Sequence, residues 1–220
     1  MKEIQARQSS ATEVIIVTTI CFGLFIYWSL QAVAAGFPSG AGFSDSYLIN
    51  IALTECVLTF LAMMVLRWQA YPLKSLLAAP NWRDSGTGCL LLVVAYLAWA
   101  FVCQFFNAGH YMREPMEKMA LQSHPTMTGV LLMSIINGWY EETFLLAYLM
   151  TAVDKLGAST AIGISVLVRL LYHLYQGPVG AVSILVFGVI FTAYYWRSRK
   201  LWPVVFAHML ADFIGLSAQI

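Results

Sequence analysis

The segment 127–153 is apolar along most of its length, yet two adjacent glutamates, Glu141 and Glu142, stand at its middle. An ionisable side chain inside a bilayer costs about 2.5–3.5 kcal/mol on insertion scales. Two in succession therefore need partners from other segments. The chain offers them: Arg169 and His173 in one later apolar segment, His208 and Asp212 in another. That constraint admits one kind of fold, a bundle embedded in a membrane whose segments converge on a polar centre.

Composition agrees. Of 220 residues, 60% are hydrophobic and 10% charged, where a soluble domain carries about 25% charged residues. The expected class is all-α, a polytopic transmembrane helical bundle. A net charge of +1 gives no reason to expect nucleic acid as a partner. The four cysteines, Cys21, Cys56, Cys89 and Cys103, lie in apolar segments without metal-type spacing and read as packing residues.

A spanning helix needs about 20 mostly apolar residues. Seven segments qualify: 13–35, 47–68, 88–107, 127–153, 158–175, 179–196 and 201–218. Gln176-Gly177-Pro178 reads as the tight turn of a helical hairpin joining the fifth to the sixth. The chain is expected to form a single membrane domain, 1–220, with spans 1–3 in 1–126 and the chemistry-bearing segments in 127–218. The pocket is expected between spans 4, 5 and 7. Residues 111–123 suggest a helix lying at the interface.

Basic residues set the orientation. Lys2, Arg7, Arg67, Lys74, Arg83, Lys155, Arg197, Arg199 and Lys200 fall on one side, Arg113 and Lys118 on the other. The expectation is a cytoplasmic N-terminus, an outside C-terminus and a bacterial inner membrane. The first span ends in Ala32-Val33-Ala34-Ala35, a pattern of the signal-cleavage type. Its apolar stretch exceeds the usual 7–15 residues, so it reads as a retained span.

His208 and Asp212 stand four apart and share a helix face, as do Arg169 and His173. Glu141 and Glu142 are about 100° apart, so one faces the pocket and the other an adjoining partner. A carboxylate and an imidazole around a water are the parts that activate it for attack on a carbonyl and return a proton to the leaving amine. Tyr172 and Gln176 flank His173 and are expected to line the same opening. Glu55 reads as a supporting or helix-interface carboxylate. His110 and His124 lie in a connection and carry no expected chemistry.

Three motifs carry a resemblance: Glu141-Glu142-Thr143-Phe144-Leu145-Leu146, Arg169-Leu170-Leu171-Tyr172-His173 and His208-Met209-Leu210-Ala211-Asp212. Over about 127–218 the chain resembles the CPBP (CAAX protease and bacteriocin-processing, or Abi) intramembrane proteases. Their motifs are Glu-Glu-x-x-x-Arg, Phe-x-x-x-His and His-x-x-x-Asn. Leu146 stands where that family has Arg, Arg169 where it has Phe, and Asp212 where it has Asn. Arg169 is expected to supply the missing charge from the facing helix and to pair with Glu142. An ionised Asp cannot donate to an oxyanion, so Asp212 would orient His208, ligate a metal or stay protonated.

The resemblance implies hydrolysis of a peptide bond in a membrane-embedded or membrane-associated peptide substrate. It implies Glu141 as the base, His173 as its partner on the water and His208 as an oxyanion donor, with Glu142, Asp212 and Arg169 supporting. No cofactor is favoured. Were a zinc ion used, Glu141, His173, His208 and Asp212 would be its ligands. Two other classes stand beside the peptidase. One is an inactive CPBP-like scaffold or immunity protein, which the motif departures support. The other is a transporter, against which the lack of internal repeats counts.

Overall fold

The computed structural model describes residues 9–37, 42–105, 115 and 124–218. Among them the chain is helical and contains no strand. Seven α-helices form among the described residues: α1 (Ala11–Ala34), α2 (Asp45–Trp68), α3 (Trp82–Cys103), α4 (Met127–Glu142), α5 (Ala158–His173), α6 (Gly177–Ser198) and α7 (Trp202–Ser217). Each corresponds to one apolar segment of the sequence. Apart from Pro115, the expected interfacial helix 111–123 lies outside the described residues, as does His110.

Polar residues at the segment ends decide where the helices start. The hydroxyls of Ser10, Ser44 and Thr126 accept the amides of Glu13, Tyr47 and Gly129. Asn81 Oδ1 accepts the Asp84 amide at 2.9 Å. Each satisfies one of the orphan N–H groups of a first turn. The Asn81 cap starts α3 six residues before the expected position 88. Gly177, with φ of +81°, makes the turn between α5 and α6, and Pro178 occupies the first turn of α6.

Among the described residues four helical runs are long and apolar enough to cross a membrane: Ala11–Ala34, Asp45–Trp68, Trp82–Cys103 and Ala158–Ser198. The last folds back at Gly177, because Gly188 of α6 lies against Val166 and Arg169 of α5. Large apolar side chains cover the outer surface. Leu53, Val57 and Phe60 on α2 and Leu90, Leu97 and Phe101 on α3 are all more than half exposed. Water would not solvate such a surface; lipid does. The chain is an integral, multi-pass membrane protein. Of the four cysteines only Cys21 is buried. Cys56 and Cys89 face outward, so the expectation that they pack inside the bundle is corrected.

The helix α4 runs through the middle, against α2 and α7, and α7 is flanked on its other side by α3. After the glutamates, α4 widens into a π-helical stretch, Thr143–Met150, in which every residue is buried. π-turns recur at functional sites. Two glycines let α7 come close. A Cβ on Gly88 would stand 2.6 Å from the Pro203 carbonyl oxygen, and one on Gly138 would stand 2.8 Å from Met209 Cγ and 3.0 Å from its amide nitrogen. Those approaches seat His208 beside the glutamates of α4.

Gly138→Ala is therefore expected to cost about 1–3 kcal/mol, the range for overpacking, and to lower the melting temperature of the purified protein in detergent. Gly163→Ala, where nothing lies within 4 Å, is the control and should leave it unchanged or raised.

Candidate active site

Glu142 is fully buried and turns toward two partners. Arg169 Nη2 donates to its two oxygens at 2.7 and 2.8 Å. His208 Nδ1 donates to Oε1 at 2.6 Å. Glu142 thus joins α4 to α5 and to α7. The expected pairing of Arg169 with Glu142 is what the structure contains. Arg169 comes from the helix facing the position where Leu146, itself fully buried, replaces the motif arginine.

Glu141 points a different way, as the angular offset between successive helical residues requires. Its Oε2 accepts the Tyr172 hydroxyl at 2.5 Å and lies 3.4 Å from Arg169 Nη1. Its Oε1 stands 3.9 Å from His173 Nε2. The His173 ring is fixed by its other nitrogen, which meets the Arg169 backbone carbonyl at 3.0 Å. A carbonyl only accepts, so Nδ1 carries the proton. In the neutral ring Nε2 is then a bare acceptor aimed at Glu141.

His208 Nε2 lies 3.8 Å from Glu141 Oε2 and 3.6 Å from Asp212 Oδ1. Asn137 Nδ2 donates to Asp212 Oδ2 at 2.7 Å and lies 3.5 Å from His208 Nε2. All six residues singled out in the sequence, Glu141, Glu142, Arg169, His173, His208 and Asp212, therefore meet in one cluster. Two of its members were not foreseen in these roles. Asn137 sits one helical turn before Glu141 and shares its face; an amide in an apolar span was the available signal. Tyr172, expected only to line the opening, holds the Glu141 carboxylate.

A cavity of about 380 Å³ opens beside the cluster, with Glu141, His173, Tyr172 and Asp212 on its wall. Its walls are broader than the expected contact of spans 4, 5 and 7. Phe25 and Trp28 of α1 and Tyr47 and Glu55 of α2 close the opposite side. Those early helices looked generic in sequence because aromatic and aliphatic residues serve equally for lipid contact and for a pocket.

The group whose ligand atoms all lie within 4.8 Å of one another, among the described residues, is Glu141, Glu142 and His208. It differs from the set Glu141, His173, His208 and Asp212 considered above. This trio suits a cation poorly. Both Glu142 oxygens already face the Arg169 guanidinium, and His208 Nδ1 donates to one of them.

Removing one partner of a buried ion pair costs about 3–5 kcal/mol. Arg169→Glu and Glu142→Arg should each lower the amount of folded protein in the membrane. The double exchange should recover folding above either single variant, and a double no better than the singles would refute the pairing. Activity should stay low in the double, because His208 would then face an arginine.

Residues 123–214 match the model of the Rce1-like family, described as type II CAAX prenyl endopeptidase Rce1-like. No curated protein and no solved structure matches the chain. The matched stretch runs from just before α4 into α7 and contains every residue of the cluster, and over it the chain is similar to the Rce1-like family of CAAX proteases, the CPBP intramembrane proteases.

Proposed function

We propose that this protein is an intramembrane endopeptidase that hydrolyses a peptide bond of a membrane-associated protein or peptide with a water activated by Glu141 and His173. One observation carries the reading. Glu141 Oε1 and the bare Nε2 of His173 face each other across 3.9 Å on the cavity wall. That gap is too long for a hydrogen bond and suits a water donating one proton to each.

The chemistry follows from these positions. Glu141 takes the proton as the water oxygen attacks the carbonyl, then delivers it to the leaving amine. Tyr172 and Arg169 hold the other Glu141 oxygen, so the carboxylate need not reorient. Negative charge develops on the carbonyl oxygen. His208, whose Nδ1–H is held by Glu142, presents Nε2–H to it in its doubly protonated form, and Asn137 Nδ2 stands 3.5 Å from the same nitrogen. Such preorganised donors are worth about 2.7–4 kcal/mol each in comparable sites. Asp212 accepts from Asn137 and orients both groups. Seven crossings, with the N-terminus in the cytoplasm and the C-terminus outside a bacterial inner membrane, complete the proposal, on the asymmetry of basic residues.

The decisive experiment compares new protein termini in cells carrying the wild type or Glu141→Gln, matched for membrane abundance. Termini present only with the wild type are expected. Their absence, with the cellular phenotype kept by the variant, would favour the scaffold reading. Tyr172→Phe should slow cleavage about 10- to 100-fold without lowering abundance, since one hydrogen bond to a charged group is worth about 1.5–3 kcal/mol. Cleavage by purified protein should persist in a chelator; loss restored by zinc would refute the metal-free mechanism.

A further inference from the structure

The cavity wall holds a third acid, Glu55, which the mechanism does not use. Glu55 of α2 is 3% exposed, and its Oε2 has no hydrogen-bond partner. A buried carboxylate without a donor is costly. Among the described residues no lysine or arginine lines this cavity, whereas Glu55, Glu141 and Asp212 all do. The buried Arg169 nearby is committed to Glu142 and Glu141. The rest of the wall is largely aromatic, with Phe25, Trp28, Tyr47, Tyr140 and Tyr175.

Carboxylate and ring faces together fit a particular ligand chemistry. A cationic head pairs with the acid and with ring quadrupoles, while an aliphatic stem covers the apolar wall. A purely hydrocarbon group would bring no donor to the Glu55 carboxylate on that wall. At about 380 Å³ the space falls in the ordinary range for a ligand pocket, about 300–1,000 Å³.

We propose that this cavity receives a basic side chain of the substrate, lysine or arginine, beside the scissile bond, and that Glu55 is the residue that selects it. The proposal rests on the peptidase reading for the identity of the ligand. The cation preference itself can be measured without turnover.

The first test is binding of N-dodecylguanidinium, with N-dodecylurea as the uncharged control, to the full-length protein in a neutral detergent. Wild type should bind the guanidinium at least about tenfold more tightly, as expected for one charge-assisted hydrogen bond. Glu55→Gln should bind both alike. Equal affinities in the wild type, or a preference that survives Glu55→Gln, would overturn the proposal. The wild-type comparison stands even if the variant does not fold. The second test uses the wild-type-dependent termini. Lysine or arginine should be enriched within two residues of the cleaved bond, and no enrichment would also overturn the proposal. Failure of the peptidase reading would show separately, as identical termini in wild type and Glu141→Gln.

Discussion

The buried pairing of Arg169 with Glu142 is the interaction on which the rest of the centre depends. Two glutamates in an apolar helix are tolerable only if a cation meets them, and the guanidinium reaches both, at 2.7 Å for Glu142 and 3.4 Å for Glu141. A planar fork donating to several oxygens suits this task better than a lysine would. Once Arg169 is in place, its own backbone carbonyl fixes the His173 ring, and Glu142 fixes the His208 ring. One ion pair thereby sets the orientation of both imidazoles.

That arrangement divides the work between adjacent residues. Glu142 is consumed by Arg169 and His208 and has no oxygen left for a reacting molecule. Glu141 keeps Oε1 free on the cavity side while Oε2 is held by Tyr172. The division follows from helical rotation, which sends consecutive side chains in directions about 100° apart. A shift of α4 by one residue would move one glutamate into the other's place and put Tyr140 or Thr143 into the vacated one. The close contact at Gly138 resists such a shift, because α7 rests on the α4 backbone there.

The replacements at Leu146 and Asp212 look damaging when each motif is considered alone. In three dimensions each has a group of the missing kind close by. The charge absent at Leu146 arrives from Arg169 on the facing helix. Asp212 cannot donate, but Asn137 brings an amide to the same place and bonds to it. Motif comparison misses such exchanges because it follows positions along the chain, whereas the chemistry needs a group at a point in space.

By itself the sequence determined a great deal. Apolar runs near the length of a bilayer required a helical membrane bundle. Isolated charges within them required convergence, and i,i+4 spacing placed His208 with Asp212 and Arg169 with His173. Tertiary structure alone decided which partner each charge took, which imidazole nitrogen stayed bare, that Tyr172 holds the Glu141 carboxylate, that Asn137 joins the cluster and that Glu55 lines its cavity. It also decided that α1 and α2 complete the cavity. The reason is physical. Periodicity fixes directions around one helix axis, but contacts between helices depend on the axial shift and rotation of each against its neighbours, and those are set by close packing at a few small residues far apart in the chain.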